Sequence, residues 1–471
     1  MSSMCTLAQC LPWLSGARLH GAGSTAVHRV HSDTRTLAAG DLFVPLRGER
    51  FDAHDFLAQA QARGAVAALC ELGAAERLLA AGLPGLLVPD TRLALAELAS
   101  GWRRQFSLPL IAVTGSNGKT TVTQMLATIL QAWKPQASLA TQGNLNNDIG
   151  LPLSLLRLRA QHEIAVLELG MNHPGEIALL AGLARPTVAL VNNAQREHLE
   201  FMATVAAVAQ ENGSVITALP TDGVAVFPAQ DPFAPLWASL AGARQMLRFG
   251  DAAQPGVDVG CSRANWSGAA WDVAVTTPLG YLHYSLKIAG RHNVDNSLAA
   301  VACAVAAGVP LPAIAQGLGA FRAVKGRSQA RLLRWQGRQI TLVDDSYNAN
   351  PDSVQAAIEL LASLPAPRLL VLGDMGEVGE QGAQFHAQAG ELARQHGIEG
   401  LFTLGPLSAS SAGSFGAGRH FADMAGLQDA VLAALPGLGS LLVKGARSMK
   451  MERVLELIDA QVSDSEVPHA A

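Results

Sequence analysis

The segment Ile111-Ala112-Val113-Thr114-Gly115-Ser116-Asn117-Gly118-Lys119-Thr120-Thr121 brings together, at working spacing, the residue types that hold a phosphate chain. Gly115 and Gly118 let backbone N–H groups approach an anion, and the helix start adds partial positive charge. Lys119 can reach β- and γ-phosphates, and the Thr120 hydroxyl can ligate Mg²⁺. Thr114, Gly115, Ser116, Asn117, Gly118, Lys119, Thr120 and Thr121 are therefore candidate nucleotide contacts. Val113 stands where the general P-loop has its first glycine, so the pattern is the shorter G-x-x-G-K-T.

Other polar groups cluster at the ends of apolar runs. Glu168 closes Ala165-Val166-Leu167 and suits a hard-oxygen Mg²⁺ ligand beside phosphates; an alternating edge-strand glutamate is the other reading. His198, in Arg196-Glu197-His198-Leu199-Glu200, either ligates a second metal or caps a helix. Asn144, Asn146, Asn147 and Asp148 lie in an amide- and glycine-rich stretch that suits sugar or pyrophosphate recognition, or a plain turn. Ser32, Asp33, Thr34, Arg35 and Arg47, with Phe43, can hold a nucleotide base and its phosphates; taken alone they read as solvated loops. Asn293 and Asn296 open a helix, either to read adenine or to cap it. Asp345, Tyr347, Asn348 and Asn350 stack polar groups at a later strand end, and Arg327 follows Lys325-Gly326 in a turn.

The elements needed to position these groups are legible in outline. Residues 1–107 mix short strands and helices, with a strand over Gly40–Leu46 and a helix over Ala53–Ala62. From 108 to 320, apolar strands such as Ile164–Leu169 and Thr187–Asn192 alternate with helical stretches, which argues for a mostly parallel sheet wrapped by helices. Ligands of such sheets sit at the carboxyl ends of the strands. A second doubly wound pattern runs from 321 to 471, with strands near 339–344, 368–373, 400–404 and 440–443. There Asn350-Pro351-Asp352 offers an N-cap, a first-turn proline and an acidic first turn. Residues 462–471 are polar and expected to fray.

Composition sets the class. With 49% hydrophobic and 15% charged residues, the chain is a packed globular protein. A net charge of −4 leaves no basic stripe for nucleic acid or an anionic membrane surface. Cys5, Cys10, Cys70, Cys261 and Cys303 show no C-x-x-C spacing and read as free thiols in a reducing cytosol. The N-terminus has no signal-like pattern, and the longest near-apolar run, 298–310, is too short to span a bilayer, so a soluble cytoplasmic protein is expected. Lysines occur only at 119, 134, 287, 325, 444 and 450, and three of them sit in glycine-flanked turns.

Taken together, these segments resemble the Mur ligases of peptidoglycan synthesis, from about Ser32 to Glu452 and in the same order. Gly48 to Phe56, Gly143 to Gly150, Asp344 to Asn350 and Val443-Lys444-Gly445 are the most type-specific pieces and point to the dipeptide-adding members. The resemblance implies an α/β protein of three domains: a small N-terminal one for the UDP end of the substrate (1–107), a central P-loop-type one for ATP (108–320), and a Rossmann-like doubly wound one for the incoming dipeptide (321–471). It implies ATP and Mg²⁺ as cofactors, UDP-N-acetylmuramoyl-tripeptide and D-alanyl-D-alanine as substrates, and a monomer.

By the same resemblance Lys119, Glu168 and His198 are catalytic, with Thr120 and Glu168 on one Mg²⁺ and His198 on a second. Asn293 and Asn296 lie near adenine, Arg327 and Asp345 reach the nucleotide, and Tyr347, Asn348 and Asn350 line the dipeptide pocket. One departure stands out. Relatives carry a carbamate-modified lysine after the histidine, and Asn212 occupies that position here, with no lysine anywhere from Pro135 to Leu286. The expectation is that Asn212, Glu211 or water takes over its metal-holding role. The rival readings are a third-residue-adding ligase, a folylpolyglutamate synthase, and a nucleotide-binding module that has lost catalysis.

Overall fold

The computed structural model describes residues 3–465, and among them the chain builds three α/β units, each around its own sheet. In the first, strands Arg18–His20, Gly85–Val88, Ala67–Glu71, Asp41–Phe43 and Arg29–His31 lie side by side in that order, all parallel except the first. The helix expected over 53–62 forms as a 3₁₀ turn, Ala53–Phe56, that runs into Leu57–Ala62, with Asp52 capping it through the His54 N–H.

The central sheet has nine strands. Seven are parallel, from Ser138–Ala140 through Ile164–Glu168, Leu110–Thr114, Val188–Val191, Val224–Pro228 and Gln245–Asp251 to Val259–Trp266. Both faces are covered, so the strands read as apolar runs whose alternate residues enter different cores. Leu110, Ala112, Ala165 and Leu167 face one layer, while Ile111, Val113, Ile164 and Val166 face the other. The expected strand–helix alternation fails between 245 and 286. There four strands follow one another, and the last two, Trp271–Thr277 and Gly280–Leu286, form an antiparallel meander at the sheet edge. Their signature is visible in the burial of Leu282, Tyr284 and Leu286 against exposed Tyr281, His283 and Ser285.

Helix His292–Ala306 explains the long apolar run. From Val294 to Ala304 only Asp295 escapes burial, as expected of a helix enclosed on nearly every side. Among the described residues no helix is long and apolar enough to cross a membrane. All five cysteines are free and buried.

The third unit orders its strands Gln329–Trp335, Arg338–Asp345, Ser440–Lys444, Arg368–Gly373, Gly400–Leu404 and Arg419–Phe421. All but the first are parallel, and separate cores fill the two faces. The last helix runs from Glu452 to Ser465, so the fraying expected from 462 does not appear before 465, and residues 466–471 lie outside the described ones.

The first two units share a core. Helix Thr91–Arg103 packs its buried face into the same apolar layer that backs the central sheet. The Trp102 indole N–H donates to Leu158 O at 3.1 Å, and the buried Arg103 guanidinium donates to Ala184 O at 2.8 Å and Arg185 O at 3.2 Å. Those carbonyls end helix Glu176–Ala184, where a cation complements the helix dipole.

Candidate active site

The chain passes from Leu110–Thr114 out to the sheet edge and back, then crosses to Val188–Val191 on the other side. This reversal puts a crevice at the carboxyl end of Leu110–Thr114, where such sheets bind ligands. A cavity of about 1250 Å³ opens there, lined by all three units. Helix Lys119–Trp133 starts at its floor, entered through Gly118 at φ +83°. A Cβ on Gly118 would come within 2.2 Å of Asn296 Oδ1 and 2.6 Å of Asn192 Nδ2, so only glycine serves the bend.

Ser116 to Thr121 line the cavity. Thr114 and Gly115 are not among its lining. The Thr114 hydroxyl and the Gly115 N–H point behind the loop and donate to Asn212 Oδ1, at 2.7 and 3.1 Å. Asn212 is thus a buried brace, and Glu211 is occupied as well. Its two oxygens accept from the N–H groups of Gly175 and Ile177, at 2.9 and 2.8 Å, at the start of helix Glu176–Ala184. The structure therefore gives neither residue the metal-holding role expected from its position.

Glu168 is 2% exposed. Its Oε1 accepts from the Thr120 hydroxyl (3.1 Å) and Asn146 Nδ2 (2.7 Å), while its Oε2 is buried with no hydrogen-bond partner. An orphaned carboxylate oxygen beside a threonine hydroxyl is the chemistry of a Mg²⁺ site completed by phosphate and water. Among the described residues no three His, Cys, Asp or Glu side chains converge as a self-sufficient metal cage.

Lys119 Nζ donates to Gly115 O (2.6 Å), Ser116 O (3.1 Å) and Glu197 Oε1 (2.7 Å). Glu197 is 8% exposed. Burial opposes its ionisation, but Lys119 and His198 outweigh that and hold its carboxyl below the usual range. His198 lies between Glu197, at 3.3 Å, and Glu377 of the third unit. Burial would favour the neutral ring, yet the two carboxylates push its pKa up to about 9. It also stands at the head of the short helix Leu199–Met202, at φ +50° and without a side-chain cap bond.

Behind the loop runs a chain of amides. Asn192 Nδ2 donates to Asn117 O and Asn296 Oδ1, Asn296 Nδ2 to Asn293 Oδ1, and Asn293 Nδ2 to Ala289 O, all at 2.7–2.9 Å. Asn293 and Asn296 line the cavity, beside Arg291 and His292. Asn144, Asn146, Asn147 and Asp148 line it as well. Asn147 Oδ1 accepts from the Gly150 N–H, at the start of helix Gly150–Leu155, at 2.8 Å, and Asp148 pairs with Arg92, which reaches over from the first unit.

The third unit supplies the roof. Asp345 pairs with buried Lys444 at 2.6 Å and accepts from the Ser328 N–H at 2.9 Å, and Lys444 also donates to Asn348 O. The Tyr347 ring has the Arg327 guanidinium over it at 4.2 Å and that of Arg447 at 5.5 Å. Asn350 caps helix Pro351–Ala362 and exchanges amide hydrogen bonds with Asn117 of the phosphate loop, at 3.0 and 3.3 Å. Arg196 donates to Asp352 from its backbone and its guanidinium, at 2.7–3.2 Å.

The first-unit candidates lie apart from this cavity. Ser32, Asp33, Thr34, Arg35 and Arg47 are not among its lining. Arg35 pairs with Asp33, and Arg47 with Glu71 and Asp52. Phe43 requires correction as a base-stacking surface. It is wholly buried in the core under helix Leu57–Ala62, whereas Phe51 in the neighbouring loop is 61% exposed. Residues that the sequence reading did not single out are Arg92, Glu197, Glu377 and Arg447. Only Arg447 carried a signal, through its place beside Lys444-Gly445.

Comparison with known proteins agrees with this anatomy. The Mur ligase family, catalytic domain, matches residues 26–103, the Mur ligase middle domain residues 113–304, and the Mur ligase, glutamate ligase domain, residues 327–447. The chain is 42% identical over 455 residues to the UDP-N-acetylmuramoyl-tripeptide--D-alanyl-D-alanine ligase of Escherichia coli K12, covering 96% of this chain and 98% of that one. A crystal structure of MurF from Acinetobacter baumannii superposes with a TM-score of 0.87 at 33% identity, over 97% and 99% of the two chains. Folylpolyglutamate synthase from Mycobacterium tuberculosis shares the fold alone, with a TM-score of 0.62 at 16% identity over 80% of this chain and 95% of that one. The phosphate loop, the three-walled cavity and these matches place this chain in the Mur ligase family, in its MurF-type branch.

Proposed function

We propose that the chain joins D-alanyl-D-alanine to UDP-N-acetylmuramoyl-tripeptide at the expense of ATP, a step in making the peptidoglycan precursor. The observation that carries this reading is the single cavity in which Lys119, Thr120 and Glu168 face Tyr347, Asn348 and Asn350. A nucleotide on the floor and an amine donor under the roof then meet at one point.

Amide formation from a carboxylate needs activation. The tripeptide carboxylate attacks the γ-phosphorus of ATP, and ADP leaves. The dipeptide amine then attacks the acyl carbon, and phosphate departs with a proton lost from nitrogen. Positioning and charge neutralisation are what the protein contributes to such transfers. Lys119, released from Glu197, neutralises the transferring phosphoryl group. Thr120 and Glu168 would hold Mg²⁺, which when bound would supply neutralisation of phosphate charge. Asn293 and Asn296 border the adenine end, Arg327 and Asp345 approach from the roof, and Asn144, Asn146, Asn147 and Asp148 guide the tripeptide arm. Ser32, Asp33, Thr34, Arg35 and Arg47 take the UDP end in the first unit, without Phe43. All three walls of the cavity come from one chain, which supports reading it as a monomer.

A coupled assay of ADP release tests the reading. Turnover is expected with UDP-N-acetylmuramoyl-tripeptide and D-alanyl-D-alanine together, and only background with single amino acids or with a folate acceptor. Equal turnover with a single amino acid would transfer the chain to a different ligase type, and no turnover in any mixture would indicate a module without catalysis.

A further inference from the structure

Two of the five cysteines touch. Cys5 lies in the two-residue strand Cys5–Thr6, Cys10 ends helix Leu7–Cys10, and their sulfurs stand 3.1 Å apart, at hydrogen-bond distance. A disulfide is about 2.05 Å long, so an approach of about 1 Å, within the reach of side-chain rotation, would bond them. Neither thiol lines the cavity, so the ligase chemistry leaves both unused.

The surroundings make the two sulfurs unequal. The hydrogen bond from Cys10 lowers the pKa of Cys5 against the effect of burial, and the Arg159 guanidinium lowers it further. The same hydrogen bond, together with burial, raises that of Cys10. Arg159 is fixed in place by donating to the carbonyls of His28, Leu156 and Leu158, at 2.7–2.8 Å. Cys5 is thus equipped as the attacking thiolate and Cys10 as the thiol that resolves it. The other three cysteines have no such setting. Burial pushes Cys70 up to about 12, and it raises Cys261 and Cys303 as well.

Both sulfurs are buried, but under a thin cover. The strand Cys5–Thr6 pairs with Ala26–Val27 alone, over two residues, in a two-stranded sheet near the start of the chain. Short terminal segments open at small cost in free energy, so a small reagent reaches the pair without global unfolding.

We propose that Cys5 and Cys10 form a reversible disulfide modification site, oxidised by a small-molecule disulfide and restored by a dithiol. The Cys5 thiolate attacks one sulfur of the small disulfide, forms a mixed disulfide and expels one thiolate. Cys10 then gives up its proton and attacks Cys5 Sγ, which breaks the mixed bond and expels the second thiolate. The two cysteines lose two electrons and two protons in all, and the small disulfide leaves as two thiols. The closed form ties the first strand to the end of the first helix and keeps Cys5 from oxidation to irreversible acids.

The test takes the full chain, reduced and then freed of reductant, and incubates it under native conditions with oxidised glutathione. Alkylation with iodoacetamide after denaturation, then tryptic digestion, reads the result by mass. Both cysteines fall in the peptide that ends at Arg18. That peptide should be unalkylated and lighter by two hydrogen atoms, with two of the five thiols lost and both recovered by dithiothreitol. In Cys10→Ser the reaction should stop at one glutathione on Cys5, and Cys5→Ser should keep all its remaining thiols. The wild-type peptide is decisive by itself where a variant fails to fold. Five free thiols in wild type, glutathione left on Cys5 in place of the closed peptide, or a disulfide between two chains would overturn the proposal. Loss of thiols at Cys70, Cys261 or Cys303 with the first peptide still reduced would do the same.

Discussion

Lys119 is the residue on which the proposed chemistry turns, and its replacement separates binding from catalysis. Lys119→Ala should lower kcat by about 10²–10³-fold, the usual loss when one preorganised charge stabiliser is removed, while the fold is retained. Stopped assays of ADP release at saturating substrate check this. Gly118→Ala should act differently. Its Cβ would meet two buried amides and its φ of +83° disfavours any side chain, so loss of nucleotide affinity and of thermal stability should appear together in a calorimetric titration and a melt. Asn212→Ala leaves two buried donors unsatisfied, at a cost of about 1–3 kcal/mol. Its Tm should fall while the Mg²⁺ dependence of turnover stays as in wild type. The phosphate loop was legible in the sequence because all its parts are local: glycines, lysine and threonine within one bend. Phe43 misled for the converse reason. Its burial is decided by helix Leu57–Ala62, which no neighbour in sequence reveals. Glu197 escaped notice because its partner Lys119 lies 78 residues away in sequence, and Glu377 because it meets His198 from another unit.

Elements were easier to read than contacts. The Asn350-Pro351-Asp352-Ser353 start of its helix is fully realised, with a reciprocal capping box between Asn350 and Ser353. Asn350→Ala should cost about 1 kcal/mol of stability in the third unit, and through the lost Asn117 contact it should raise the KM for the acceptor more than that for ATP. The meander at 271–286 was missed because it breaks an otherwise regular strand–helix rhythm, although its alternating burial is a period-two signal. Helix Gly382–Gln395 carries a pH-sensitive joint. His386 is wholly buried, donates from Nδ1 to Gly382 O (2.6 Å) and accepts the Met375 N–H at Nε2 (2.9 Å). Burial depresses its pKa below the ordinary histidine value of 6.5. The unfolded chain therefore takes up this proton more readily than the folded one. The stabilisation is complete above pH 6.5 and declines as the pH drops below it, by at most about 1.4 kcal/mol per pH unit. Urea melts between pH 7.5 and 5.5 should show a steeper loss in wild type than in His386→Gln, and parallel curves would contradict the assignment.

At the scale of the molecule, the third unit rests on the second through polar pairs, Asn117 with Asn350, Arg196 with Asp352 and His198 with Glu377, and through Ala289, Leu199 and Trp266, which pack on its core. Such a seam suits a domain that must move to admit substrates and release product. Arg196→Ala combined with Asp352→Ala should enlarge the radius of gyration in solution scattering and raise the KM for the dipeptide, with ATP-analogue affinity kept within about threefold. Unchanged scattering would mean that other contacts hold the seam. The junction between the first and second units is of another kind, since Trp102 and Arg103 are sunk into a core that both units share. That asymmetry bears on descent. A genetic crossover near residue 107 would set those two side chains against a stranger's surface, whereas one near 321 would divide a seam of polar pairs and a few apolar side chains. Lineages of such ligases should therefore inherit the first 320 residues as one block and exchange the remainder more freely.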